Sequence, residues 1–120
     1  MRSFVREESW NSVKVFWLEK EELLKALKRE AERLGRENKT VKKVVLFGSL
    51  AEGRAIPGSD ADLLIVLTES NKPFPERLAE WSAKIEIDFP IEVFPYTQEE
   101  LHVPLARTAL EKGITLFERP

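Results

Sequence analysis

The sequence predicts one small α/β domain, a β-sheet with helices packed on it. Three observations carry that reading. Two apolar runs, Val41–Phe47 and Ala61–Leu67, have the length and composition of buried strands. A strongly amphipathic stretch precedes the first of them, and helical patterns alternate with further strands down to the last residue. At 120 residues the chain has the length of a single domain, with no internal repeat or dividing linker.

Residues 1–12 are expected to be loosely ordered, and Val13–Trp17 alternates weakly, as a short edge strand would. Glu19 to about Arg36 reads as a helix. Leu23, Leu27, Ala31 and Leu34 share one face with Leu24 beside them, and Gly35 and Asn38 mark the end. After the first buried strand, Leu50–Arg54 is expected as a short helical segment and Ile56-Pro57-Gly58-Ser59 as a turn.

Asn71-Lys72-Pro73 is a loop. Pro75 opens a helix through about Ile85 whose inward stripe is Leu78, Trp81 and Ile85. Asp88-Phe89-Pro90 turns into a strand, Ile91–Phe94. Thr97 and Glu100 have capping-box spacing for a short helix. Pro104 begins a last helix that stops at Gly113, and Ile114–Phe117 is a final edge strand.

Composition excludes several function classes. The absence of cysteine removes disulfide scaffolds, thiol nucleophiles and cysteine metal sites. A single histidine, His102, rules out a His-rich metal site and reads as a loop residue, structural or solvated. No apolar run is long enough to span a membrane and the start lacks a signal-peptide stretch, so the cytoplasm is the expected compartment. Net charge is −2 but uneven: residues 1–47 carry +4 and residues 48–120 carry −6. That balance argues against direct nucleic-acid binding; an acidic half can concentrate metal cations, but on charge alone it reads first as a solvated surface. Glu and Lys enrichment, with few Asn, Gln, Cys and Met, is the pattern of a thermophilic source.

Only three of the acids are aspartates: Asp60, Asp62 and Asp88. Asp60 and Asp62 stand two apart at the mouth of a strand, so they project to the same side. Paired carboxylates repel unless a cation lies between them, and they suit Mg²⁺ held together with substrate phosphates. Gly48-Ser49 ends the neighbouring strand, where a backbone approaches something closely and offers N–H groups to an anion. Phosphate at one place and metal at the other together describe metal-assisted phosphoryl or nucleotidyl transfer. The stretch is not a Walker loop, since no Gly-Lys-Ser/Thr occurs, and Gly48, Gly53 and Gly58 are too widely spaced for a dinucleotide fingerprint.

Gly48-Ser49, Asp60-x-Asp62 and an acid on the following strand resemble the DNA polymerase β-like nucleotidyltransferase superfamily, and the length resembles its minimal nucleotidyltransferase (MNT) branch. The resemblance covers about residues 20–117. It implies a polymerase β-like nucleotidyltransferase fold, an α/β (α+β) domain whose small mixed β-sheet of about three to five strands is flanked by helices. It also implies two Mg²⁺ ions, or Mn²⁺, on Asp60, Asp62 and a third acid, and an NTP, ATP first among candidates, on the Gly-Ser turn. Gly48, Ser49, Ser59 and Arg54 are the nucleotide-binding candidates. Glu92, inside Ile91-Glu92-Val93, is the choice for third catalytic and metal-binding acid, with Asp88 as its rival.

The resemblance further implies transfer of AMP to a hydroxyl on a helical HEPN-type partner protein, as the antitoxin of a toxin–antitoxin pair, in a homo- or hetero-oligomer. Two departures keep an alternative in play, a catalytically weak binding module that neutralises such a partner by contact. Relatives carry Asp as the third acid where Glu92 stands, and Arg after Gly-Ser where this chain has Leu50-Ala51-Glu52. Arg54 is the candidate substitute for that arginine. Outside this stretch, Trp10, Phe16 and Trp17 form either an aromatic partner patch or core, and Tyr96 either stacks on a base or caps the sheet edge.

Overall fold

A computed structural model describes residues 4–10, 13–55 and 58–120. Among the described residues, nine helices and strands follow the order β1 (Val5–Trp10), β2 (Val13–Leu18), α1 (Lys20–Glu37), β3 (Val41–Phe47), β4 (Ala61–Leu67), α2 (Phe74–Ala83), β5 (Ile91–Thr97), α3 (Pro104–Lys112) and β6 (Ile114–Glu118). A short 3₁₀ turn, Gln98–Glu100, joins β5 to α3.

The four later strands form one mixed sheet in the order β5-β4-β3-β6. β3 is antiparallel to both β4 and β6, and β4 is parallel to β5. Strand alternation divides the sheet's side chains between two cores. On one face Val44, Leu46, Leu63, Ile65 and Val93 pack with Leu23, Leu27, Ala31 and Leu34 of α1 and Trp81 of α2. On the other, Val45, Leu64 and Val66 pack with Ala106 and Ala109 of α3. β3 and β4 have the bounds the apolar runs predict, because both faces of both strands are covered.

β1 and β2 pair with each other as a separate antiparallel hairpin. Against the expectation of loose order over residues 1–12, Val5–Trp10 is a strand, and Phe4 is buried, edge-on to Phe89 at 6.2 Å between ring centroids; residues 1–3, 11 and 12 lie outside the described set. The Glu19 N–H donates to the Phe4 carbonyl at 2.9 Å and ties the hairpin base to the start of α1. The side chains of Trp10, Phe16 and Trp17 lie outside the described set, as do Ile56 and Pro57 of the expected turn.

Three further expectations need correction. Leu50–Arg54 is a run of turns and not a helix: Glu52 N–H donates to the Gly48 carbonyl and Arg54 N–H to the Ser49 carbonyl, so the bonds do not follow one helical step. Leu50 instead drops into the core, which pulls the segment down. Leu78 does not face inward but is 37% exposed, while Arg77 is 4% exposed. The Arg77 guanidinium is drawn in by polar partners: a bidentate pair with Glu100 (2.7 and 2.9 Å), the Pro95 carbonyl (2.9 Å) and the Lys72 carbonyl (3.0 Å). Those bonds rotate α2 so that Arg77 and Trp81 make its buried line. Finally, β5 runs on through Pro95 to Thr97. A proline is tolerated there because β5 is an edge strand.

Candidate functional site

β3 ends and β4 and β5 begin at the same end of the sheet. Cross-strand register makes this specific: Phe47 faces Asp62, and Asp62 faces Glu92. Facing residues of neighbouring strands lie on one side of the sheet, so Phe47, Asp62 and Glu92 share the α3 side, at the end beyond the Leu64 and Val45 contacts with that helix. Asp60, two before Asp62, is exposed in the extended approach to β4. Glu92 is exposed and Asp62 half-buried.

Burial pushes the Asp62 carboxyl above its ordinary range, and the negative charges of Glu92 and Asp60 push the same way. Asp88 is exposed in the turn before β5, and Glu92 is the residue in register with Asp62. Register and charge thus link Asp62 with Glu92 and with Asp60.

Gly48 leaves β3 with a positive φ of 80°, a conformation that L side chains rarely adopt. A Cβ there would also overlap the Asp62 Oδ2. The turn that follows is thus set against the Asp62 carboxylate by a residue with no side chain. Ser49, half-buried, begins the turn, and its carbonyl is taken by the Arg54 N–H at 2.8 Å. No helix starts there, so an anion at Gly48-Ser49 would meet turn amides and not a helix dipole. Arg54 is exposed and its guanidinium pairs with Glu52 at 3.4 Å. Ser59 is half-buried just before Asp60.

Beside the carboxylates, Phe47 and Phe94 form a half-buried ring pair, 5.3 Å between centroids and tilted by 59°. Sequence reading treats both only as strand residues; their adjacency comes from the sheet order. Tyr96 lies at the other end of β5, opposite Val66, and stacks on Phe74 at 5.0 Å, so it closes the far end of that sheet edge. His102 is exposed, with Nδ1 3.1 Å from the Glu99 carbonyl.

The donors fit Mg²⁺ by chemistry, being carboxylates of which one is already disfavoured as a bare charge. Among the described residues no three His, Cys, Asp or Glu side chains are gathered closely enough to hold a metal by themselves. Carboxylates plus phosphate oxygens are the set Mg²⁺ ordinarily takes. A concavity of about 440 Å³ opens at the opposite end of the sheet, among Thr40, Glu69, Ser70 and Asn71. It contains none of these groups. Among the described residues no helix is long and apolar enough to cross a membrane.

Comparison with known proteins bears on the domain as a whole. Residues 20–118 match the family model of the nucleotidyltransferase domain. A Methanocaldococcus jannaschii protein, provisionally named protein adenylyltransferase MJ1379, is 25% identical over 91 residues, covering 76% of this chain and 91% of that protein. The crystal structure of a Sulfolobus solfataricus protein, provisionally named a nucleotidyltransferase, superposes with a TM-score of 0.65 at 21% identity, over 83% of this chain and 84% of that one. A chain from the crystal structure of a toxin–antitoxin with AMP-PNP superposes with a TM-score of 0.53 at 20% identity, over 77% of this chain and 73% of that one. At those identities the two structures share the fold with this chain.

Proposed function

The chain belongs to the nucleotidyltransferase domain family, and from that premise we propose that it transfers AMP from Mg·ATP to a hydroxyl on a partner protein. The observation that carries the reading is the double register of Asp62, which faces Phe47, the strand residue just before Gly48, on one side and Glu92 on the other. One sheet end thereby offers a turn for phosphates and carboxylates for a cation. Asp60, Asp62 and Glu92 would hold the metal. Bound there, Mg²⁺ supplies charge neutralisation for the phosphates and the leaving pyrophosphate.

The remaining work falls to the chain. Gly48 and Ser49 seat the triphosphate with turn amides, with Ser59 and Arg54 at the rim. The acceptor oxygen forms a bond to the α-phosphorus. The bond from that phosphorus to the bridging oxygen breaks, and pyrophosphate leaves with the electron pair. Glu92, exposed to the approaching acceptor, takes the hydroxyl proton.

The name of the Methanocaldococcus relative and the AMP-PNP of the toxin–antitoxin neighbour favour an adenine nucleotide and a protein acceptor. We take that acceptor to be a helical HEPN-type toxin, with this chain as its antitoxin in the cytoplasm. One observation favours a second reading, neutralisation by contact with little chemistry: Arg54, the candidate stand-in for the missing arginine, is already paired with Glu52.

The test is transfer of α-labelled AMP from ATP to the co-purified partner, with and without Mg²⁺. Label on the partner that requires Mg²⁺, and that disappears in an Asp60→Asn/Asp62→Asn double variant, is the expected result. A partner that binds equally well to both proteins and never carries label would overturn the catalytic reading in favour of the contact one.

A further inference from the structure

We propose that Lys112, the last residue of α3, supplies a cation for the β- and γ-phosphates of the nucleotide. The inference rests on the nucleotide reading of the Gly48-Ser49 turn and adds a residue that its motif does not contain.

The first observation is register. Ile114 faces Leu46 across the β3–β6 ladder. One step further along each antiparallel chain brings Gly113 level with Phe47, and there the strand register ends, because Lys112 closes α3; the C-terminal end of that helix therefore stands at the level where β3 runs into Gly48. Gly113 is pinned there: a Cβ on it would collide with the Ala109 carbonyl, the Val45 side chain and the Leu46 carbonyl. The end of α3 is thus pressed against the last residues of β3, immediately before the phosphate turn.

The second observation is which flank of α3 Lys112 occupies. Ala106 and Ala109 are fully buried against the sheet, and Gly113 continues their line. At about 100° per residue, Lys112 falls a quarter-turn to one side of that line and Arg107 further round on the other. β6 runs parallel to β4 and β5, since each of β4 and β6 is antiparallel to β3. The β5–α3–β6 connection is therefore a crossover between parallel strands. Such crossovers are right-handed. With that hand, the flank carrying Lys112 is the one over β4 and β5, where Asp62 and Glu92 begin. The flank carrying Arg107 is turned toward β6 and solvent.

The third observation is charge. The site gathers Asp60, Asp62 and Glu92, and its nearest sequence-adjacent cation, Arg54, is engaged by Glu52. Lys112 is exposed, and among the described residues its ammonium has no carboxylate partner. A lysine in the last turn also offsets the helix dipole. That effect changes the stability of α3 and leaves nucleotide affinity untouched, so the two roles separate in an experiment.

Calorimetric titration of Mg·ATP, inorganic pyrophosphate and AMP into full-length wild type, Lys112→Gln, Lys112→Arg and Arg107→Gln provides it. Lys112→Gln is expected to weaken Mg·ATP and pyrophosphate binding roughly tenfold, the value of one charge-assisted contact. AMP affinity stays at the wild-type level, Lys112→Arg restores most of the loss, and Arg107→Gln matches wild type. Wild-type binding with Lys112→Gln equal to it, or an equal loss in Arg107→Gln, would overturn the inference and leave the nucleotide reading standing. Failure of wild type to bind Mg·ATP would overturn both.

Discussion

The Asp62 carboxylate occupies the space that a side chain on Gly48 would need. Two segments of the site therefore depend on each other: the glycine admits the carboxylate, and any larger residue would push the carboxylate out of its place.

Gly48→Ala should lose nucleotidyl transfer almost entirely, because Asp62 must leave its position to make room. Stability should fall by about 1–2 kcal/mol from the left-handed backbone alone. Gly53→Ala is the matched control. Gly53 has nearly the same φ, 75°, and nothing within 4 Å of an added Cβ. It should show a similar loss in chemical denaturation and keep its activity. Equal activity losses in the two variants would remove Asp62 from the explanation.

Asp62→Asn should abolish transfer and leave the fold intact. In Mg²⁺-free buffer the variant should melt no lower than wild type, and up to a few degrees higher. The sign follows from the direction of the shift. Burial and neighbouring charges raise the Asp62 carboxyl in the folded chain. Its neutral form is favoured by folding, and that contribution is lost as pH rises through the folded value. Thermal melts at pH 4 and pH 8 check it: the advantage of the variant should be larger at pH 8.

Glu92→Gln should lower transfer by at least two orders of magnitude, as loss of a proton acceptor does, while Asp88→Asn should keep most of it. Glu92 is in register with Asp62, and Asp88 stands in the turn before the strand. Steady-state labelling of the acceptor decides between them. The reverse ranking would make Asp88 the third acid.

Glu100→Gln should destabilise the domain by about 1–2 kcal/mol at neutral pH. Breaking a buried pair costs more than that, but Glu100 is 36% exposed and water takes up part of the loss. The Arg77 bond holds the Glu100 carboxyl down to about 2 against the opposing pull of burial, with the Thr97 N–H assisting at 2.8 Å. A depressed carboxyl stabilises above its unfolded value and stops doing so as pH falls through its folded one. The wild-type advantage over the variant should therefore shrink between about pH 4.5 and pH 2 in denaturant titrations. It should be constant from pH 5 to pH 8.

Much of this was legible in the residues alone, and the exceptions have physical causes. Val41–Phe47 and Ala61–Leu67 announce themselves because a strand covered on both faces must be apolar throughout. The capping-box spacing of Thr97 and Glu100 is local, and its reach-back bond forms. β1 was not legible, because VREESW carries three charges in six residues and pairs only with its neighbour β2. Arg77 was hidden for a related reason. A charge at a helix position reads as solvated until Glu100, on a different element, is seen to meet it. The site divides the same way. Gly48, Asp60 and Asp62 lie within one short stretch of sequence, whereas the place of Glu92 beside Asp62 depends on strand order.

The parallel seam between β4 and β5 bears on how the protein reaches its native state. β3 and β4 meet across a modest loop, but β5 can align with β4 only after the whole α2 crossover has closed, and such non-local pairing is kinetically slow. Asp62 and Glu92 are a like-charged couple near the start of that seam. Electrostatics therefore opposes a late docking event, and a chain whose seam is still frayed holds Asp60 and Asp62 without their third carboxylate. On the proposed metal reading, a divalent cation in the refolding buffer would act on this step as well as on the folded protein.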